Sequence, residues 1–185
     1  MRKIFRQLSK AAWSLFFACA GAAAAPSDIA GRAVYVDDGD TFVLLLQDKT
    51  QIKVRMASID APESSHTNKE KGRVGQPFSD KSTQLLASFI KGQDVSAKCF
   101  EKDRFDRDVC EIFIGGESVN RKMVALGMAW ANQSSKGRYL RDKSLVGLEA
   151  KARSDGLGLW QGKAPIPPWE WRKTCWVDGQ CGGGL

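Results

Sequence analysis

The sequence predicts an α+β domain built on a small closed β-barrel with helices packed beside it. Three observations carry that prediction. Five short runs have strand character and are separated by turn residues, and three further stretches have helical spacing. Five short strands in an open sheet would also leave unpaired edges, which closure removes; an open sheet with helices on one face is the alternative. The chain has 185 residues and is 43% hydrophobic, enough for one domain with a core and too little for two large ones.

The elements follow in order. Arg32 to Val36 and Thr41 to Leu46 are apolar runs joined by Asp37-Asp38-Gly39-Asp40. The Asp-Gly step reads as a hairpin because glycine tolerates positive φ. After Asp48-Lys49-Thr50, the stretch Gln51 to Ile59 alternates Ile52, Val54 and Met56 with Lys53, Arg55 and Ala57, the pattern of a half-buried strand, and Ala61-Pro62 stops it. A polar loop, Glu63 to Gln76, precedes a predicted helix over Pro77 to Lys91, with Phe78, Leu85, Leu86, Phe89 and Ile90 on one face and Gly92 beyond its end. Asp94 to Phe100 and Asp108 to Ile114 form a second strand pair. Glu117 to Leu126 and Tyr139 to Ser154 are the remaining helices, each closed by a glycine. The tail holds Trp160, Trp169, Trp171 and Trp176 among prolines and glycines, and is expected to lie over the core edge without regular structure.

The amino terminus reads as an export signal. A cationic stretch, Met1 to Lys10, leads into an apolar run ending in four alanines, with cleavage expected between Ala22 and Ala25. At about 15 residues that run is short for a span of roughly 30 Å. Cys19 follows Phe17-Ala18, a poor match to a lipid-attachment site. The expected organisation is therefore a signal peptide at 1–25, a globular domain at 26–172 and a Cys/Gly-rich tail at 173–185, exported to the periplasm or secreted, with no membrane association after cleavage. Four of the 28 basic residues lie in the signal, leaving 24 against 21 acidic. That excess is too small to imply a nucleic-acid partner by charge alone.

Export changes how the cysteines are read. Cys99, Cys110, Cys175 and Cys181 form an even set with three possible pairings, and the sequence-local choice is Cys99–Cys110 with Cys175–Cys181. A bridge closing a loop of about twelve residues contributes roughly 3 kcal/mol in the chain-entropy picture. The spacings do not suit zinc, and the single histidine, His66, lies far from the cysteines.

Three segments carry chemistry: Asp37-Asp38-Gly39-Asp40-Thr41, then Arg55 with Asp60-Ala61-Pro62-Glu63, and Asp103-Arg104-Phe105-Asp106-Arg107. Each alone is an ordinary turn or charged loop. Together they supply what displacement at a phosphodiester needs. Two arginines hold the charge spread over the phosphate oxygens. A hard divalent cation, suited to Asp40, Asp60 and a loop carbonyl, neutralises the same oxygens. Glu63 supplies a proton acceptor for the attacking water. Arg55 and Asp60 differ by an odd number, so an ideal strand would point them to opposite faces; the site requires the strand to end or bulge between them.

In order and spacing these segments, together with Gly158-Leu159-Trp160 and Pro167-Pro168-Trp169-Glu170-Trp171-Arg172, resemble the staphylococcal nuclease (thermonuclease) family over roughly residues 30–172. The tail resembles that of exported bacterial members. The resemblance implies a five-stranded OB-fold barrel with three α-helices. It implies calcium held by Asp40, Asp60 and the backbone carbonyl of Ala61, a phosphate clamp of Arg55 and Arg107, and Glu63 as general base or water-orienting group. Arg104 and Phe105 match positions that contact the nucleotide, where an aromatic suits the loop or stacking on a base. The implied reaction is endonucleolytic hydrolysis of DNA and RNA with little base specificity, preferring single-stranded or frayed substrate, leaving 3′-phosphates, by a monomeric enzyme.

Two positions depart from the family pattern. The frequent threonine is Ala61 here, and the usual glycine before the second arginine is Asp106, which adds a negative charge beside Arg107 and needs a backbone that a non-glycine residue adopts. Cys99 and Cys110 flank the Arg107 loop, so their bridge is expected to preorganise it. The competing readings are a non-catalytic OB module that binds nucleic acid or protein, and a disulfide-stapled structural protein. The carboxylate cluster argues against the first and the three motifs against the second.

Overall fold

The computed structural model describes residues 27–66, 72–162 and 164–181; the signal-peptide expectation for 1–25 lies outside them. The chain runs β1 (Ser27–Asp38), β2 (Thr41–Leu45), β3 (Gln51–Met56), β4 (Ile59–Asp60), α1 (Ser79–Ile90), β5 (Asp94–Lys102), β6 (Asp108–Ile114), β7 (Glu117–Ser118), α2 (Val119–Ala125), β8 (Trp130–Ala131), α3 (Ser134–Gly137), α4 (Leu145–Ser154), a 3₁₀ turn (Gly158–Gln161) and α5 (Pro168–Thr174).

Strands β1, β2, β3, β6 and β5 close on one another in that order. Four pairings are antiparallel, and the fifth, β3 with β6, is parallel and sets Arg55 beside Val109. This is the five-stranded OB-fold barrel, in an α+β chain. Its interior follows from alternation: Val95, Ala97 and Cys99 on β5 are buried while Asp94, Ser96 and Lys98 are exposed. Phe42, Leu44, Val54, Met56 and Ile112 fill the barrel with no more than 1% of their surface exposed. Burial of each such large side chain contributes about 1.5–3 kcal/mol. On α1, Ser82, Leu86 and Ile90 lie one turn apart on the buried face.

The elements differ from the sequence reading in ways that have local causes. The third strand stops at Met56, because Ser58 takes a left-handed φ of 65° and Ile59–Asp60 pairs instead with Trp130–Ala131 in a separate two-stranded sheet. The helix expected from Glu117 begins at Val119, since Glu117 and Ser118 pair with β6 and the Ser118 hydroxyl accepts from the Arg121 amide as an N-cap. The helix expected from Tyr139 begins only at Leu145. The amides of Arg141 and Asp142 donate to Ser58 Oγ, and Asp142 Oδ1 accepts from Ser144, so side chains take the bonds a helix would use. Instead of three helices the described residues form five: α3 is a single turn with left-handed residues inside it, and α5 lies in the tail expected to be irregular.

Both bridges of the sequence-local pairing are present. Cys99–Cys110 joins β5 to β6 at directly opposed positions, and Cys175–Cys181 closes the end of α5. Among the described residues no helix is long and apolar enough to cross a membrane.

Candidate active site

Barrel closure brings the three sequence segments to one place. Thr41 opens β2 directly opposite Arg55 of β3. Asp40, just before it, is therefore next to Arg55, and the Asp40 carbonyl accepts from the Met56 amide at 2.8 Å. The left-handed turn at Ser58 reverses the side-chain parity that an unbroken strand would impose, so Asp60 and Arg55 meet after all, with Arg55 Nη2 donating to Asp60 Oδ1 at 2.8 Å. The other arm of the fork, Nη1, pairs with Asp40 Oδ2. The backbone amide of Ala61 also donates to Asp40 Oδ2, at 2.7 Å.

The β3–β6 pairing places the end of the preceding loop beside the same cluster. Arg107, one residue before β6, donates from Nη1 to Thr41 Oγ1 at 3.3 Å, and Thr41 Oγ1 donates to Asp40 Oδ1 at 3.0 Å. Its Nε and Nη2 hold Asp103 Oδ2 at 2.8 and 2.7 Å, while Asp103 Oδ1 accepts the amides of Phe105 and Arg107 and so folds the loop. Phe105 is 62% exposed, with the guanidinium groups of Arg104 and Arg107 over its ring at 4.7 and 5.4 Å.

One further residue completes the cluster, and the sequence reading gave it no role. Arg172 of α5 donates from Nη2 to Asp60 Oδ2 at 2.8 Å and from Nη1 to a carboxylate oxygen of Glu63. An unbroken path of contacts thus runs Arg107–Thr41–Asp40–Arg55–Asp60–Arg172–Glu63. The helix that delivers Arg172 did carry a signal: Pro168 at its first position, Glu170 in its first turn, and Arg172 and Lys173 in its last.

The glycine of the β1–β2 turn does a different job from the one expected. Gly39 is not among the residues with positive φ. A methyl group built on it would overlap Ser82 Oγ and stand 2.7 Å from Ala61 Cβ, so the turn needs space, not a left-handed backbone. Ser82 is fully buried and donates to the Met128 carbonyl, so it cannot yield. Gly39→Ala is expected to cost about 1–3 kcal/mol in denaturant unfolding, the usual penalty for overpacking. It should also displace Asp40, its neighbour in the chain.

Similarity to known proteins agrees with this geometry. The family model described as staphylococcal nuclease homologue matches residues 53–162, more than half of the chain. The chain belongs to the staphylococcal nuclease family. It is 34% identical over 142 residues to an uncharacterized endonuclease of Haemophilus influenzae, covering 77% of this chain and 72% of the relative. It is 33% identical to an uncharacterized endonuclease of Escherichia coli O157:H7, covering 79% and 86% respectively. To the micrococcal nuclease of Shigella flexneri it is 35% identical, covering 80% and 83%. Membership supports a nuclease function.

Against the staphylococcal nuclease pattern, the departure at Asp106 is accommodated. Its φ of 59° is the left-handed conformation a glycine would take, which aspartate tolerates better than most residues. Its exposed carboxylate pairs with Lys102 at 3.1 Å, while Asp103 is the carboxylate that pairs with Arg107.

The electrostatics of the cluster bear on the cation. Among the described residues no group of three or more His, Cys, Asp and Glu side chains is drawn together as a ready metal site. Two carboxylates, Asp40 and Asp60, do share one guanidinium, and Asp38 and Glu63 stand close by. Four carboxylates, Asp38, Asp40, Asp60 and Glu63, thus gather around Arg55 and Arg172. Burial pushes the Asp38 carboxyl well above the usual range, and the adjacent Asp40 charge adds to this. Burial likewise pushes Glu63 up to about 6, with Arg172 pulling the other way. Burial opposes the charge on Arg55, but Asp40, Asp60 and Asp38 outweigh it and hold the guanidinium protonated. A gathering of carboxylates that offers only oxygen donors fits a hard divalent cation.

Proposed function

We propose that this chain is an exported, monomeric, calcium-dependent endonuclease that hydrolyses DNA and RNA phosphodiesters, preferring single-stranded or frayed substrate and leaving 3′-phosphates. The observation that carries the reading is the continuous path from Arg107 through Asp40, Arg55 and Asp60 to Glu63, assembled from four separate stretches of chain.

Arg55 and Arg107 bind the nonbridging oxygens of the scissile phosphate. Each fork is planar and permanently charged, so it supplies paired donors without proton bookkeeping. In the free protein both forks rest on carboxylates, Arg107 on Asp103 and Arg55 on Asp40 and Asp60, which holds each in a fixed place before substrate arrives. Glu63 takes the proton of the attacking water. With 16% of its side chain exposed, it combines access to water with an environment that raises its basicity above that of a free carboxylate. Asp40, Asp60 and the Ala61 carbonyl would hold the calcium. When bound, the ion neutralises charge on the phosphate oxygens and orders water. Arg104 and Phe105 offer a cationic and aromatic face on which a splayed base stacks, which is indifferent to base identity. Recognition through phosphate and stacking, without base-edge contacts, accounts for low base specificity.

The test is digestion of a single-stranded DNA and an RNA oligonucleotide with calcium, with magnesium and with a chelator. Cleavage in calcium that stops on chelation, with phosphate at the 3′ ends, is the expected result. A protein that binds the oligonucleotides but cuts neither under any condition would instead be an OB-fold binding module.

A further inference from the structure

We propose that Arg172 is a positioning residue for Glu63, and that residues 166–181 form a strap fixing the chain on which Glu63 sits. The inference rests on the nuclease reading above and assigns a part of that site to the C-terminal segment.

Glu63 lies where β4 gives way to a loop running to α1. Its backbone is fixed by Gln76: the Glu63 amide donates to Gln76 Oε1 at 2.9 Å, and the Gln76 amide donates to the Glu63 carbonyl at 2.8 Å. Gln76 is itself buried, and its Nε2 donates to the Ile166 carbonyl at 2.8 Å. Two residues earlier, the Val74 carbonyl accepts two of the strap's three indole donors, Trp171 Nε1 at 3.1 Å and Trp176 Nε1 at 2.9 Å. Arg73 lies over the Trp176 ring at 4.5 Å. The loop that carries Glu63 is thus moored to the C-terminal segment at Arg73, Val74 and Gln76.

Arg172 extends the mooring from backbone to carboxylate. A single guanidinium spans Glu63 and Asp60, two like charges that would otherwise repel, and sets their separation. Among the described residues Arg172 is the partner that holds the Glu63 carboxylate, and without it three rotatable bonds free that carboxylate to swing toward solvent. The strap is itself dependent on attachment. A seven-residue helix has no stability of its own; buried Trp171 pins one side of it and the Cys175–Cys181 bridge closes its end.

The experiment uses the full chain with Arg172→Ala, Arg172→Lys and Trp176→Phe, the last removing one indole donor while keeping a ring. Two quantities are read: steady-state kinetics on a single-stranded DNA oligonucleotide in calcium, and hydrogen exchange of the amides at 63–66 and 72–76. Arg172→Ala is expected to lower kcat by about 10–100-fold, as small misplacements of a reacting group do, with KM within about twofold. Arg172→Lys should restore part of that loss. Both Arg172→Ala and Trp176→Phe should speed exchange over the loop while leaving the barrel amides protected. Unchanged kcat with unchanged loop exchange in Arg172→Ala overturns the proposal, as does loss of protection throughout the barrel, which would make the role global. If the wild type cuts nothing, the nuclease reading falls, and the exchange data alone decide whether Arg172 and the strap hold Glu63.

Discussion

Replacing Glu63 with glutamine is expected to lower kcat on single-stranded DNA by about 10²–10³-fold, the scale for removing a positioned proton acceptor. Glutamine keeps the size and the hydrogen-bonding oxygen, so Arg172 retains a partner while the basic group is gone. The fold should not suffer. Glu63 lies outside the hydrophobic core, and its carboxylate packs on Arg172 at the edge of the cluster. Thermal unfolding within a few degrees of wild type, beside the kinetic loss, is the expected combination. Near-wild-type turnover in Glu63→Gln would show that water is deprotonated by another group and would remove Glu63 from the mechanism.

Arg107→Ala is expected to cost a similar 10²–10³-fold, for a different reason: it removes a charged donor aimed where negative charge grows during displacement. Its side chain is about one-fifth exposed and packs on a loop rather than in the barrel. The loop fold itself comes from Asp103 accepting backbone amides, which the substitution leaves in place. Arg107→Lys should not rescue fully, because a point charge cannot reproduce the paired geometry of the fork. The loss should appear chiefly in kcat. A variant that loses only affinity would make Arg107 a ground-state binding residue.

Much of this was legible in the sequence because the barrel obeys simple periodicities. Val95, Ala97 and Cys99 alternate as a strand should, and Leu86 and Ile90 recur as a helix should. The site residues were legible only as a set. Nothing about serine announces that position 58 adopts a left-handed conformation, yet that one residue decides whether Arg55 and Asp60 face each other. Gly39 was read for backbone freedom and proves to be needed for close approach to Ser82, a contact no local pattern encodes. Arg172 was hidden for the same reason: it meets Glu63 and Asp60 across 109 and 112 positions of chain. Helix α5 was hidden less deeply, since its proline start and charge order follow ordinary rules.

The parallel seam between β3 and β6 carries one more implication. Arg55 arrives on one side of it and Arg107 on the other, and the two strands belong to distant parts of the chain. Pairing of that kind cannot form from neighbouring residues alone, because the ends of a long intervening segment must be brought together at an entropic cost. A half-built or truncated molecule would therefore carry the two guanidinium forks apart and be harmless to nucleic acid. Cutting power would require that seam to close, which makes turnover itself a reporter of how many molecules hold a complete barrel.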